Sequence, residues 1–227
     1  MTSLLAWHGT RADGTTRYLK VKEVVGVKTF LVGNVELCKN ALHGSLRAVD
    51  MLRFSEGLWI KRTLHEGVVL HDTNKIGSSE RTVVGEADAT HMVSDWAFWC
   101  ADRAVRIHAV IALRQAGMES EAEKLGNLEA ITDKKSALAA FNAVDVAYAV
   151  ATVRVAAHTA YCAVHAADVA ANAAHAGTAV ARAAHAVRAA DTTAAYAAAD
   201  GTEMEFLNAE LERRLLALMG LISEVIQ

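Results

Sequence analysis

Hydrophobic and polar positions change period twice along this chain. From residue 4 to about residue 87 they come as short apolar runs broken by turn residues. Leu4-Leu5-Ala6-Trp7 closes at His8-Gly9-Thr10, and residues 18–22 alternate apolar with basic, which predicts a strand with one wet face. The runs 29–32 and 35–38 flank Gly33-Asn34 and predict a hairpin. Leu46, Val49, Met51, Leu52 and Phe54 then recur at helical spacing behind Ser45, a candidate N-cap, with Gly57 just past the end. Residues 58–60, 68–70 and 82–84 return to β-branched composition, with Gly67, Asp72-Thr73-Asn74 and Gly77 as turns between them.

After Asp88 the period becomes helical. Met92, Val93, Trp96, Trp99, Val105, Val110 and Leu113 mark a helix of about 25 residues that ends at Gly117, and Trp96 and Trp99 are its candidate anchoring or binding aromatics. A short acidic helix is expected between Glu119 and Gly126. Residues 136–200 are low-complexity, and alanine's helix propensity with no proline present predicts helix throughout. As one rod they would extend ~97 Å, so breaks are expected near Gly177-Thr178 and Asp191. A polar stripe, His158, Cys162, His165, Asp168, Asn172, His175, Arg182 and His185, runs along this tract. The last segment, 202–226, opens with a Thr202-x-x-Glu205 capping box. Met204, Asn208, Leu211, Leu215, Leu218, Ile222 and Val225 follow at steps of four and three, a heptad seam with one Asn. That seam fits a homo-oligomer interface and packing within its own bundle equally well.

The expected fold class is therefore α+β: a small mixed N-terminal α/β head, residues 1–87, followed by an alanine-rich all-α helical bundle, residues 88–227. Of 46 alanines in 227 residues, 30 lie between Ala137 and Ala199, which is what makes the tail so uniform. The head carries 12 basic and 9 acidic residues and the remainder 11 and 17, so the overall charge of −3 hides a basic head and an acidic tail. Neither half has a dense basic cluster, which argues against a nucleic-acid partner. Histidine, aspartate and arginine interrupt the alanine tract, and no other apolar run is long enough to span a bilayer. Cys38, Cys100 and Cys162 form no CxxC pair and suit free thiols in a reducing compartment. With no leader-like pattern in residues 1–11, a cytoplasmic location away from membranes is expected.

Residues 38–45 (Cys-Lys-Asn-Ala-Leu-His-Gly-Ser), Ala48-Val49-Asp50, Gly57, a strand ending in Gly67, and residues 72–79 with Lys75 before a small-residue run together resemble an uncharacterised domain family of phages and bacteria. The resemblance covers about residues 5–85, and some members of that family continue into long alanine-rich tails. It implies a phage or mobile-element origin and no particular activity. Ala41 departs from it, standing where the family pattern has Gly.

Separately, His8-Gly9-Thr10 after a strand with His43-Gly44-Ser45 opening a helix resembles the layout of ADP-ribosyltransferases. That layout would need an acid, and Glu80 or Glu86 is the available choice. The plainer reading makes His8 and His43 local hydrogen-bond partners and Ser45 a cap. Cys38 with His43 lacks a second ligand pair of structural-zinc spacing, so no metal is expected, and no cofactor. The leading expectation is a non-enzymatic interaction protein acting on a host protein or as an oligomer, with His8, His43 and Ser45 as binding residues. An ADP-ribosyltransferase-like head using His8, His43 and Glu80 is the second reading. A protein that sequesters a small nucleotide-like ligand between head and bundle is the third.

Overall fold

The computed structural model describes residues 3–17, 20–150, 184–191 and 202–221. Within it the chain forms two compact units. One comprises described residues 3–92 and 210–221, and the other comprises residues 93–150, 184–191 and 202–209.

The first unit is built on a five-stranded antiparallel sheet in the order β1-β4-β5-β2, with β3 also paired to β5. Its strands are β1 (Leu4–Thr10), β2 (Lys28–Phe30), β3 (Leu42–Gly44), β4 (Trp59–His71) and β5 (Ile76–Asp88). What the local pattern divides into separate short strands is one long hairpin of two 13-residue strands. Gly67 is the reason. It takes φ +73° inside β4, where the register against β5 slips between Glu66 and Val69, so it forms a bulge rather than a turn. The real turn is Asp72–Lys75, closed by Asp72 N–H donating to the Lys75 carbonyl at 2.9 Å. Helix α1 (Ala48–Phe54) packs on β1, and Trp7, Leu42, Leu52, Leu58, Ile60 and Ile76 fill the space between. Each such side chain contributes roughly 1.5–3 kcal/mol through burial.

Three local expectations differ. The 29–38 hairpin does not form: β2 pairs with β5 instead, and residues 35–40 turn back through a Glu36–Asn40 bridge. Of the expected strand at 18–22, residues 18 and 19 lie outside the described residues, and Lys20 has φ +51°, which ends any extended run there. Ser45 is not the helix cap. It forms a paired backbone bridge with Trp7, and Arg47 occupies the cap position without a side-chain bond. The orphan N–H of Ala48 is satisfied instead by the Glu212 carboxylate at 3.2 Å, which also accepts from Trp7 Nε1 at 3.1 Å.

That carboxylate corrects the expected fold class. The C-terminal residues do not belong to a separate all-α bundle behind a small head: described residues 210–221 complete the sheet unit. Glu212 bonds β1 and α1, and Leu221 lies against Gly85, where a Cβ would meet Leu221 Cδ1 at 2.8 Å. The fold is a five-stranded antiparallel sheet followed by helices, with its last helix shared between the two units.

The second unit is helical. Helix α2 (Thr90–Asp102) continues through a π-helical turn (Arg103–Ala109) into α3 (Val110–Gln115), ending near Gly117 at φ +75° as the pattern predicts. Helix α4 (Glu119–Gly126) follows, then α5 (Lys134–Val150), whose first turn is capped by Asp133 Oδ1 accepting from Ser136 N–H at 2.8 Å. Residues 184–191 form helix α6 and Thr202–Leu218 helix α7. The core is small and apolar: Ala101, Ala104, Ala109, Ala122, Ala137 and Ala140 set among Phe98, Val105, Leu113, Leu125, Ile131 and Val144. Leu211 and Leu215 of the heptad seam are fully buried by the chain's own residues and Asn208 nearly so, while Leu218 is about half exposed. Met204 is partly buried, and Ile222 and Val225 lie outside the described residues. So does the polar stripe from His158 to Arg182, with the Gly177-Thr178 break.

Candidate functional site

A cavity of about 130 Å³ opens within the sheet unit. Its walls come from distant parts of the sequence. β1 supplies His8, the following loop Thr16 and Arg17, the loop before β3 Cys38, β3 and its exit His43 and Ser45, α1 Phe54, the hairpin turn Lys75, and β5 Arg81. Three of these side chains are cationic, and no carboxylate lines the cavity.

Arg81 is held from behind. Its Nε and Nη2 donate to Glu23 Oε1 at 3.0 and 2.6 Å, both side chains being almost wholly buried, and its Nη1 donates to the His43 carbonyl. This pair orients the guanidinium and ties β5 to β3. Lys61, Thr63 and His65 alternate along β4 and are all buried, though none of them lines the cavity. Lys61 Nζ donates to the Glu23 carbonyl at 2.9 Å and pairs with Glu86 at 3.2 Å. The His65 ring spans Thr63 Oγ1 at 3.0 Å and Ser78 Oγ at 2.8 Å, and burial, helped by Arg81 and His43, holds its pKa down at about 3. It is neutral at physiological pH. Gly44 gives it room, since a Cβ there would stand 2.7 Å from His65 Nε2.

His8 and His43 share the cavity wall, as the sequence reading paired them. Burial, with Arg81 next in weight, pushes both pKa values below the ordinary histidine range, His8 well below. His8 Nε2 is buried without a hydrogen-bond partner. A buried, unpaired ring nitrogen costs on the order of 1–3 kcal/mol unless something fills its valence. His43 Nε2 accepts from the Cys38 backbone N–H at 3.1 Å, which places its proton on Nδ1. Cys38 itself is exposed, sits at φ +67°, and receives Lys75 Nζ on Sγ at 2.8 Å. The Cys38–His43 association of the sequence reading thus exists, though through the backbone amide rather than the thiol.

Ser45 also lines the cavity. Glu80 does not: Lys28 Nζ holds it at 3.0 Å and Glu66 at 2.8 Å, beside β2. Glu86 is engaged by Lys61. The His8–His43–Glu80 constellation is therefore incomplete, with two members brought together and the acid elsewhere. Trp96 and Trp99 belong to α2. Trp96 is fully buried, and Trp99 packs 5.7 Å from Phe206 with the Arg103 guanidinium over both rings, so neither lines the cavity. Among the described residues, no group of three or more His, Cys, Asp or Glu side chains is placed to hold a metal ion. No helix among them is long and apolar enough to cross a membrane.

Sequence reasoning misses the cations Arg17 and Arg81 and the buried Glu23, Lys61 and His65, and reaches Lys75 only through the family resemblance. A signal existed for one group: Lys61-x-Thr63-x-His65 alternates with Ile60 and Leu64, which marks a strand, though not that its polar face turns inward. No such signal links Glu23 to Arg81 across 58 positions.

The three lining cations are paired from outside the lining, Arg17 with Glu56 at 2.9 Å, Lys75 with Asp72 at 3.6 Å and Arg81 with Glu23 at 2.6 Å; with two neutral histidines and aromatic walls from Trp7 and Phe54 they suit the cavity to a small anion carrying a flat body. For scale, a cavity of about 150 Å³ admits a benzene ring. Compared with known proteins, this chain matches no family model, no curated protein and no solved structure.

Proposed function

We propose that this protein is a non-enzymatic binding protein whose sheet unit sequesters a small anionic, nucleotide-like ligand, with a ring-sized part in the cavity and its charge met by Lys75 and Arg81. The observation that carries this reading is the cavity wall itself: three cations, no carboxylate, and a His8 Nε2 that lacks a partner. A neutral imidazole there can donate to or accept from a bound heterocycle, and Arg81, braced by Glu23, presents its charge without reorganising. The site belongs to the sheet unit alone, in place of the head–bundle junction that sequence suggested. Origin in a phage or mobile element and action in a bacterial cytoplasm rest on the resemblance of residues 5–85 and on the cysteine pattern. The ADP-ribosyltransferase-like reading lacks the acid that would stabilise a departing nicotinamide, since Glu80 is bound to Lys28.

Native mass spectrometry of the chain purified from bacterial cells, beside the same sample after mild denaturation, tests the proposal. A small anionic adduct that is lost on denaturation, and is absent from Arg81→Gln and from a cavity-filling Ala41→Phe variant, is the expected result. An unliganded mass, together with no adduct after incubation with nucleoside monophosphates, would overturn it.

A further inference from the structure

The thiol at the cavity mouth has its own chemistry. Cys38 is exposed, lines the cavity, and has the Lys75 nitrogen 2.8 Å from its sulfur. The two residues come from different elements, the loop before β3 and the turn of the β4–β5 hairpin, and meet only because β3 pairs with β5 at Gly44–Ile76, His43–Gly77 and Leu42–Ser78. An L-residue at φ +67° costs on the order of 1–2 kcal/mol where glycine would cost little, so this loop carries its side chain at a conformational expense. Cys100, by contrast, is fully buried on α2.

We propose that Cys38 and Lys75 form a peroxide-driven covalent bridge, an S–N bond that closes the cavity mouth and removes the Lys75 charge. The thiolate sulfur attacks hydrogen peroxide, the O–O bond breaks, and sulfenic acid and hydroxide are produced. Hydroxide takes a proton from the Lys75 ammonium. The free amine attacks the sulfenic sulfur, the S–O bond breaks, and water leaves. Overall, thiolate, ammonium and peroxide give the S–N bridge and two waters, with the sulfur losing two electrons to the peroxide oxygen. Proximity makes the second step intramolecular, which favours it over attack by any amine in solution. The Lys75 proton is also held partly by Cys38, whose hydrogen bond raises the Lys75 pKa, so oxidation of the sulfur weakens the hold on that proton as the reaction needs. Of the three cations at the cavity one would be neutralised, so the oxidised protein should release its anion. This last consequence rests on the binding function proposed above. The bridge itself does not.

The test is peroxide treatment of the full chain, blocking of remaining thiols, tryptic digestion and peptide mass spectrometry. The expected product joins the Cys38 and Lys75 peptides, lighter than their sum by two hydrogen atoms, uncleaved at Lys75 and separated again by dithiothreitol. Cys38→Ser and Lys75→Arg should each abolish it, and Lys75→Arg keeps the charge so that folding can be checked by circular dichroism. Cys100 in the same digest should remain unoxidised. Progress of Cys38 to sulfinic acid with Lys75 still cleavable, or a disulfide from Cys38 to another cysteine, would overturn the bridge. A bridge that forms without lowering nucleoside monophosphate affinity would leave the chemistry standing and contradict the anion-binding reading alone.

Discussion

The two units of this chain solve the problem of an interior in opposite ways. In the helical unit the core is alanine with a few larger aliphatics, and its principal buried charge, Glu203, is matched by a bidentate Arg103 at 2.6 and 2.8 Å. In the sheet unit the interior includes Glu23, Lys61, Thr63, His65, Ser78 and Arg81. Buried polar groups of this kind add little net stability compared with apolar packing, and each is costly once its partner is lost. Under the binding function proposed above, the sheet unit's polar interior braces a site, whereas the helical unit's interior is given to close packing.

The buried Glu23–Arg81 pair marks the sharpest contrast between the two units. Glu23→Gln leaves Arg81 buried without its counter-charge and should destabilise the sheet unit by about 3–5 kcal/mol. Hydrogen exchange should report the loss at β3 and β5 and leave the protection of α3 to α5 unchanged. Equal loss in both units would mean that they do not differ in the way described.

Acid should separate the units next. A His65 pKa held near 3 when folded, against about 6.5 when unfolded, means that the unfolded chain binds the extra proton. This contribution to stability is complete above the unfolded pKa and is lost as pH falls between about 6.5 and 3. The slope is roughly 1.4 kcal/mol per pH unit for this one group, so ~3 kcal/mol would be gone near pH 4.3. His8 and His43 shift in the same direction and add to it. His65→Gln should flatten part of the slope in urea titrations followed from pH 7 to 4, and a variant with an unchanged slope would refute the assignment.

A smaller effect probes the other side. Ala104→Leu forces extra volume into the alanine-lined core and should cost about 1–3 kcal/mol, seen as a lower urea midpoint for the helical unit. Tolerance of leucine there would show a core with room to spare. The smallest change has the opposite sign. Cys38→Gly relieves the left-handed strain and should stabilise the sheet unit by about 1 kcal/mol by thermal or urea unfolding. Destabilisation would instead show that the Lys75 contact on the sulfur outweighs the strain.

Local pattern made the helices legible where period and punctuation agree. The 90–115 stretch, its stop at Gly117 and the short helix beginning at Glu119 follow from apolar spacing and one glycine. The hairpin was legible only in fragments, because Gly67 reads locally as a turn and functions as a bulge once β5 provides a register to slip against. The C-terminal helix and its buried Leu211 and Leu215 were legible from the capping box and the seam, but its place in the sheet unit was not. Glu212 reads as a polar heptad residue, and only the three-dimensional path places its carboxylate at Trp7 and the start of α1. For the site, His8 and His43 stood out because each precedes a glycine at the edge of an apolar run. Arg81 and Glu23 did not, and Lys75 did so only through the family resemblance, since charged residues on an alternating strand or in a turn look solvated until tertiary pairing turns them inward.

The proposed function requires the sheet unit to hold a small anion in its cavity. Isothermal titration of the reduced full chain with adenosine monophosphate and with adenosine tests it most directly, alongside a Lys75→Gln variant. Saturable binding of the monophosphate, binding of adenosine weaker by tenfold or more, and a similar loss for the monophosphate in Lys75→Gln are expected. Equal affinity for the two ligands, or no heat from either up to millimolar concentration, would contradict it.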